Sequence, residues 1–258
     1  MPEIHPTAIV SKEAIIEDNV FIGPYCVING PVKLGSGTRL LSHVVIEGKV
    51  EIGSNCHIYP FTTIGLPPQD LKYKGEDTGV KIGSNNIIRE SVTIHRASVG
   101  GDGWTDIGNN NFLMAYVHIA HDCKIGNNII MANAATLAGH VHVYDYAVIG
   151  GLVAVHQFTR IGAYAMVGGF SGVGQDIPPY MMAAGARAEL HGLNTVGLKR
   201  HGFSDETISE LKKAYKILFR EKLTLSDAIK KVLETLPYTE EIKTLIEFIK
   251  ENKRGICR

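Results

Sequence analysis

The run His118-Ile119-Ala120-His121-Asp122 sets two imidazoles and a carboxylate side by side. Stepping on by three hexads at a time, His121 is followed by Gly139 and Gln157, and Asp122 by His140; His156 adjoins Gln157. If the chain repeats every three hexads, His121, His140 and His156 join one carboxylate and one amide in a single cluster. Such a set suits acyl transfer to a hydroxyl. A hydroxyl is a weak nucleophile at neutral pH, and a histidine that takes its proton during attack contributes roughly 10²–10⁴-fold. A neighbouring carboxylate fixes the imidazole tautomer, and a backbone N–H, here that of Gly139, meets the developing oxyanion. No serine or cysteine with a paired base is evident, so direct attack is expected rather than an acyl-enzyme. A second pair, Gly151 and Gly169, has the same spacing. Two stacked residues without side chains leave a groove in which an extended acyl chain fits.

The element that must position these residues is an internal repeat of six. Aliphatic residues recur at Ile4, Val10, Ile16 and on to Ile64, again at Ile82, Ile88 and Ile94, and then from Ile107 to Val173, with Met131 the one departure from branched chains. A period of six fits neither a helix of 3.6 residues per turn nor an alternating strand. It fits a hexapeptide β-helix, in which three hexads close one triangular coil and the aliphatic side chain points inward. Ile119 holds that inward place, so His118, His121 and Asp122 are expected to face out rather than into the core. Glycine often follows the aliphatic residue, as at Gly23, Gly53, Gly65, Gly108 and Gly150, and the expectation is that these positions supply the positive φ of the corners. Two breaks, residues 66–81 and 97–106, read as loops, and loops in compact repeats commonly carry function. The second has no Gly-Lys-Ser/Thr and is not a phosphate-cradling loop.

The repeat ends at Pro178-Pro179. From Ser204 the apolar period becomes helical, with stripes at Ile208/Leu211/Tyr215/Leu218, Leu225/Ala228/Val232 and Ile242/Leu245/Ile249. Ser204, Thr224 and Thr239 are candidate N-caps. The chain is therefore divided into a β-helix over 1–194 and a helical domain over 195–258 that caps the solenoid. Lys plus Arg and Asp plus Glu are equal at 26 each, which disfavours a general nucleic-acid binder. No apolar run approaches the ~20 residues of a membrane span, and no signal peptide is read at the start. Four cysteines without a CxxC pair suit a reducing cytoplasm. Site residues on the convex outside of a prism lack an opposite wall, so a symmetric oligomer with sites between subunits is expected, and a triangular prism suits a homotrimer.

Gln69-Asp70-Leu71-Lys72-Tyr73, the segment Ile88 to Arg96, His118 to Cys123, Leu137 to Val141, Ala154 to Phe158 and Gly197 to Arg200 together resemble the bacterial UDP-N-acetylglucosamine O-acyltransferases, over nearly the whole chain. The resemblance implies a left-handed β-helix, an exception to the usual right-handed crossover. It also implies transfer of a (3R)-3-hydroxyacyl chain from acyl carrier protein to the 3-position of the sugar of UDP-N-acetylglucosamine, the opening step of lipid A synthesis, with no cofactor and no metal. By it, His121 is the general base, Asp122 its partner and Gly139 the oxyanion donor. His118, His140, His156 and Gln157 line the nucleotide-sugar and acyl site. Gln69, Asp70 and Lys72 belong to the loop that reaches the sugar and phosphates, from the adjacent subunit. Asn194 and Arg200 contact the nucleotide or donor, and Gly169, with Gly151 beside it, leaves room for a long chain. Val196 and His201 depart from the family, which has an acidic residue and an arginine there. Lys199, Arg200, Lys212, Lys213, Arg220 and Lys222 are candidates for docking an acidic carrier.

Other readings are distinct in what they require. A hexapeptide carbonic anhydrase would need zinc on His95, His118 and His121, but its later pair is spaced H-x4-H rather than the H-x2-H found here. An acetyl-coenzyme A transferase and a non-catalytic scaffold share the repeat; the scaffold would have no use for the His121–Asp122 pair.

Overall fold

The computed structural model describes residues 1–258. Three sheets, parallel except for the last strand of the first, form the faces of a left-handed β-helix, with 11 strands on the first face, 9 on the second and 8 on the third. Chain order runs first face, second face, third face, so every third strand pairs. On the first face Ile4 pairs with Ile22, Ile22 with Leu40 and Leu40 with Ile58, each three hexads from the last. The next partners, Ile58 with Ile88 and Ile88 with Leu113, are more widely separated in sequence, because the two loops are inserted there without disturbing register. Strands Thr63–Leu66, Gly79–Ile82 and Trp104–Ile107 take up the edges of both expected breaks. The true insertions are therefore shorter, 67–78 and 96–103.

The inward aliphatic column packs into one continuous core; Ile22, Ile46, Ile64, Ile94, Ile119, Leu137 and Ile149 have no exposed surface. Each such side chain is stabilised by about 1.5–3 kcal/mol on leaving water. The first coil has nothing beneath it, and there Ile4 is 43% exposed.

The glycines after the aliphatic residues correct an expectation. Gly23, Gly53, Gly108 and Gly150 do not have positive φ, whereas Gly65 does. A Cβ at Gly108 would lie 2.5 Å from the carbonyl oxygen of Gly126 in the next coil, so close backbone approach is what excludes a side chain. The corners turn instead through left-handed residues two places further on. Asn55, Asn85, Asn110 and Asn128 form one such column, and asparagine tolerates this conformation. Asp122, His140 and Phe158 form another, with φ of 59°, 59° and 63°.

After a final antiparallel pair, Met181–Ala184 with Glu189–Leu193, four helices close the end: α1 Thr195–Arg200, α2 Asp205–Arg220, α3 Leu225–Thr235 and α4 Glu240–Lys250. Ser204, Thr224 and Thr239 cap α2, α3 and α4 by accepting from the amides of Thr207, Asp227 and Ile242. Helix α1 has fewer than two turns, too few to show a stripe in the sequence. The tail then returns to the prism, where Asp176 donates its N–H to Gly255 and accepts that of Cys257. No helix is long and apolar enough to cross a membrane.

Candidate active site

The His118–Ile119 strand lies on the second face and ends at the corner leading to the third. His121 and Asp122 form that corner. His121 Nδ1 lies 2.8 Å from Asp122 Oδ2, and His140 Nε2 of the next coil is 3.7 Å from the same oxygen. The two imidazoles meet edge to face with centroids 5.3 Å apart, and Phe158 of the third coil stacks on His140 at 4.5 Å. Phe158 continues the Asp122/His140 column by one more coil, so the repeat could have revealed it.

Asp122 was expected to face outward, and at this outward corner it is nonetheless covered, being only 4% exposed. The insertion 96–103 closes over it. Ser98 donates its N–H to Asp122 Oδ2 at 3.0 Å, Thr105 Oγ1 accepts the Asp122 N–H, and a side chain at Gly101 would collide with Oδ1. Oδ1 has no hydrogen-bond partner. Neither Ser98 nor Thr105 carries a sequence signal, because both lie in the segment where the period is lost.

Gly139 has no room for a side chain, since a Cβ would stand 2.5 Å from His121 Cε1 and 2.7 Å from Nε2. The imidazole therefore rests on the Gly139 backbone. The N–H of that residue donates to no protein group, while its carbonyl accepts from Phe158.

Gln69, Asp70, Lys72, His121, His140, Gln157 and Phe158 line one cleft, together with Val99 and Gly100. The 67–78 loop was expected to reach the site from a neighbouring subunit; within this chain it folds over the chain's own histidines. Asp70 accepts from Ser98 Oγ at 2.6 Å and from the Lys72 N–H at 3.0 Å, and these bonds, the first above all, hold its carboxyl below the usual range.

His118 sits one strand back. Its Nδ1 is 2.7 Å from Thr93 Oγ1, and its ring meets His95 edge-on. Burial, then the nearby His121, holds His118 below the ordinary imidazole value. Burial lowers His140 as well, with Asp122 pulling the other way. Burial and then the charges of His118 and His121 bring His95 down to about 4; its Nδ1 is buried without a partner. The zinc set His95/His118/His121 does not converge. The donor atoms that do converge, within 4.8 Å, belong to His121, Asp122 and His140.

Five expected residues lie elsewhere. His156 borders a second groove with Gly172, Gly174 and Arg187, and Arg254 of the tail donates to its Nδ1 at 2.9 Å. Asn194 is buried and caps α1 by accepting from the Gly197 N–H, while its amide donates to the Tyr164 carbonyl; both ends are engaged in structure. Arg200 is exposed in the last turn of α1, and His201 packs edge-on against Tyr146 and Tyr164. Gly151 and Gly169 stack as expected, a Cβ at Gly169 falling 3.2 Å from the Gly151 oxygen. They do so at the corner between the first and second faces, across the second face from His121. The outward residues spanning that gap, Thr136, Ala154 and Gly172, are small.

Models of bacterial hexapeptide transferases match residues 13–48, 31–66 and 105–139, and a model described as UDP-N-acetylglucosamine O-acyltransferase, domain 2, matches residues 176–257. An acyl-[acyl-carrier-protein]–UDP-N-acetylglucosamine O-acyltransferase of Thermodesulfovibrio yellowstonii is 73% identical over the full length of both chains. Another, of Syntrophobacter fumaroxidans, is 49% identical over 99% of this chain and 100% of its own. The solved UDP-N-acetylglucosamine O-acyltransferase of Moraxella catarrhalis superposes with a TM-score of 0.96 at 46% identity, covering 99% of each chain. With a hexapeptide prism, a histidine–aspartate corner and this identity along its whole length, the chain belongs to the acyl-[acyl-carrier-protein]–UDP-N-acetylglucosamine O-acyltransferase family.

Proposed function

We propose that the protein transfers a (3R)-3-hydroxyacyl chain from acyl carrier protein to the 3-hydroxyl of the glucosamine ring of UDP-N-acetylglucosamine. The observation that carries this reading is the His121–Asp122 bond of 2.8 Å laid over a free Gly139 N–H. Asp122 accepts the Nδ1 proton, which leaves Nε2 as the basic lone pair facing the cleft. Nε2 takes the proton of the sugar hydroxyl as its oxygen attacks the thioester carbonyl carbon. The negative charge moves to the carbonyl oxygen, where the Gly139 N–H receives it. Collapse breaks the carbon–sulfur bond, and the carrier thiolate leaves with the proton held by His121. An acyl-enzyme on cysteine is disfavoured, because burial raises all four thiols, Cys123 to about 12 and Cys257 to about 11.

Gln69, Asp70, Lys72 and Gln157 hold the sugar and its phosphates in the cleft they share with His121. The acyl chain lies along Thr136, Ala154 and Gly172 toward Gly151 and Gly169. His118, neutral at pH 7 by its lowered value, and His156 border this path, and the exposed Arg200 serves the donor side. Two neighbouring copies of the chain complete the wall in a homotrimer. The stripe Tyr116, Leu152 and Phe170, exposed by 66%, 53% and 78%, supports such packing at the corner beside the second face. Buried free thiols suit the reducing cytoplasm.

The test combines UDP-N-acetylglucosamine with a series of (3R)-3-hydroxyacyl carrier proteins and follows product mass. The native protein gives product with one preferred chain length, and His121→Ala lowers kcat/KM by roughly 10²–10⁴-fold. Absence of product with every donor, or a fully active His121→Ala, overturns the reading.

A further inference from the structure

Asp122 can steady His121 only if its own carboxylate is steadied, and one contact does this from outside the repeat. We propose that Ser98 is a positioning residue that ties the substrate-binding loop 67–78 to the His121–Asp122 pair. The inference rests on the reading of His121 as the base. Ser98 is 2% exposed and donates in two directions: its N–H to Asp122 Oδ2 at 3.0 Å and its hydroxyl to Asp70 Oδ2 at 2.6 Å. The second oxygen of Asp70 accepts the Lys72 N–H at 3.0 Å. Asp70, Ser98, Asp122 and His121 thus form one unbroken line of hydrogen bonds, and it joins both insertions of the prism to the corner.

The carboxylate has little other restraint. Its Oδ1 is buried with no partner, and both strong bonds, from Ser98 and from His121, fall on Oδ2. A shift of Ser98 is therefore passed to Asp122 and on to the imidazole. Ser98 in turn is followed by the exposed Val99 and Gly100, and on the loop side it is held by its side-chain bond to Asp70, beside the buried Ala97, whose carbonyl accepts from Thr78 Oγ1. Capture of the sugar by Asp70 and Lys72 and alignment of the base become linked events, since a group held by several partners responds as a unit.

The test uses the full chain with Ser98→Ala, Ser98→Thr, Asp70→Ala and the double variant Ser98→Ala/Asp70→Ala. Two readouts are taken: the low-field proton resonance of His121 Nδ1–H without substrate, and kcat with KM for the nucleotide sugar. Ser98→Ala and Asp70→Ala are each expected to shift and broaden the resonance and to lower kcat on the order of 10-fold. Ser98→Thr, which keeps the hydroxyl, restores both, and the double variant falls no further than the worse single one. Ser98→Ala with an unchanged resonance and kcat within about twofold of the parent overturns the proposal. So does a double variant whose losses multiply, because the two residues then act independently. The resonance needs no turnover. A chain that shows the expected shifts yet transfers no acyl group keeps the coupling and overturns the acyl-transfer reading instead.

Discussion

Two corners of the prism carry a histidine in the same left-handed backbone, and only one of them sets it beside a buried carboxylate. At the corner between the first and second faces, His43 stacks between Tyr25 and Phe61 with centroids 5.0 and 5.1 Å away. At the corner between the second and third faces, His140 stacks on Phe158 at 4.5 Å and meets His121 edge-on. Both histidines have φ of 59°. His43 is exposed and has no carboxylate near it, whereas His140 shares the buried Asp122 with His121 beneath an inserted loop. The coil thus provides a rigid place for an imidazole at any corner. Burial, a carboxylate and a cleft come from the insertions.

The largest test of this contrast is removal of the carboxylate. Asp122→Asn leaves the shape and lets His121 take the wrong tautomer, with an expected loss in kcat on the order of 10³-fold; His43→Ala is expected to leave kcat within about twofold. Comparable rates for the two variants, measured by product mass, would erase the distinction between the corners.

Burial itself is tested through pH. His95 stays neutral in the folded chain until about pH 4, whereas the unfolded chain takes up that proton near 6.5. Between these values the unfolded state binds more protons, so stability is lost as pH falls through the window. The expected loss from this group is ~3 kcal/mol, and His95→Gln should remove that much of the acid dependence in denaturant titrations. An unaltered slope would mean that His95 is solvated.

Close packing at the corner with the buried carboxylate gives a third contrast. Gly139→Ala drives a methyl into the His121 ring and is expected to lower kcat by about 10²-fold without unfolding the coil. Gly174→Ala, with nothing within 4 Å of the new methyl, should leave the His121 ring undisturbed and its Nδ1–H resonance as in the parent. The smallest effect is expected from the stacked rings. Phe158→Ala forfeits about 0.5–1.5 kcal/mol of ring contact with His140 and lowers kcat by up to ~10-fold, while Phe61→Ala leaves it unchanged. Equal effects from Phe158 and Phe61 would show that stacking at these corners serves stability alone.

The helical stripes and N-caps after Ser204 marked the three longer capping helices, and the repeat of six, by itself, determined the prism, the inward column, and the stacking of His121 over Gly139 and of Asp122 over His140. These follow because three hexads make one coil, and one coil is one step along the axis. What the tertiary structure decided lies where that spacing fails. The burial of Asp122, the roles of Ser98 and Thr105, and the meeting of Gln69, Asp70 and Lys72 with the histidines of their own chain all depend on the insertions 67–78 and 96–103. An insertion has no period, so its path is set by the hydrogen bonds it finds on the prism. The engagement of Asn194 in a helix cap against Tyr164 and the turn of His156 toward Arg254 in the tail likewise arise from chain segments distant in sequence. Periodicity states which residues share a column; only packing states which of them leave water.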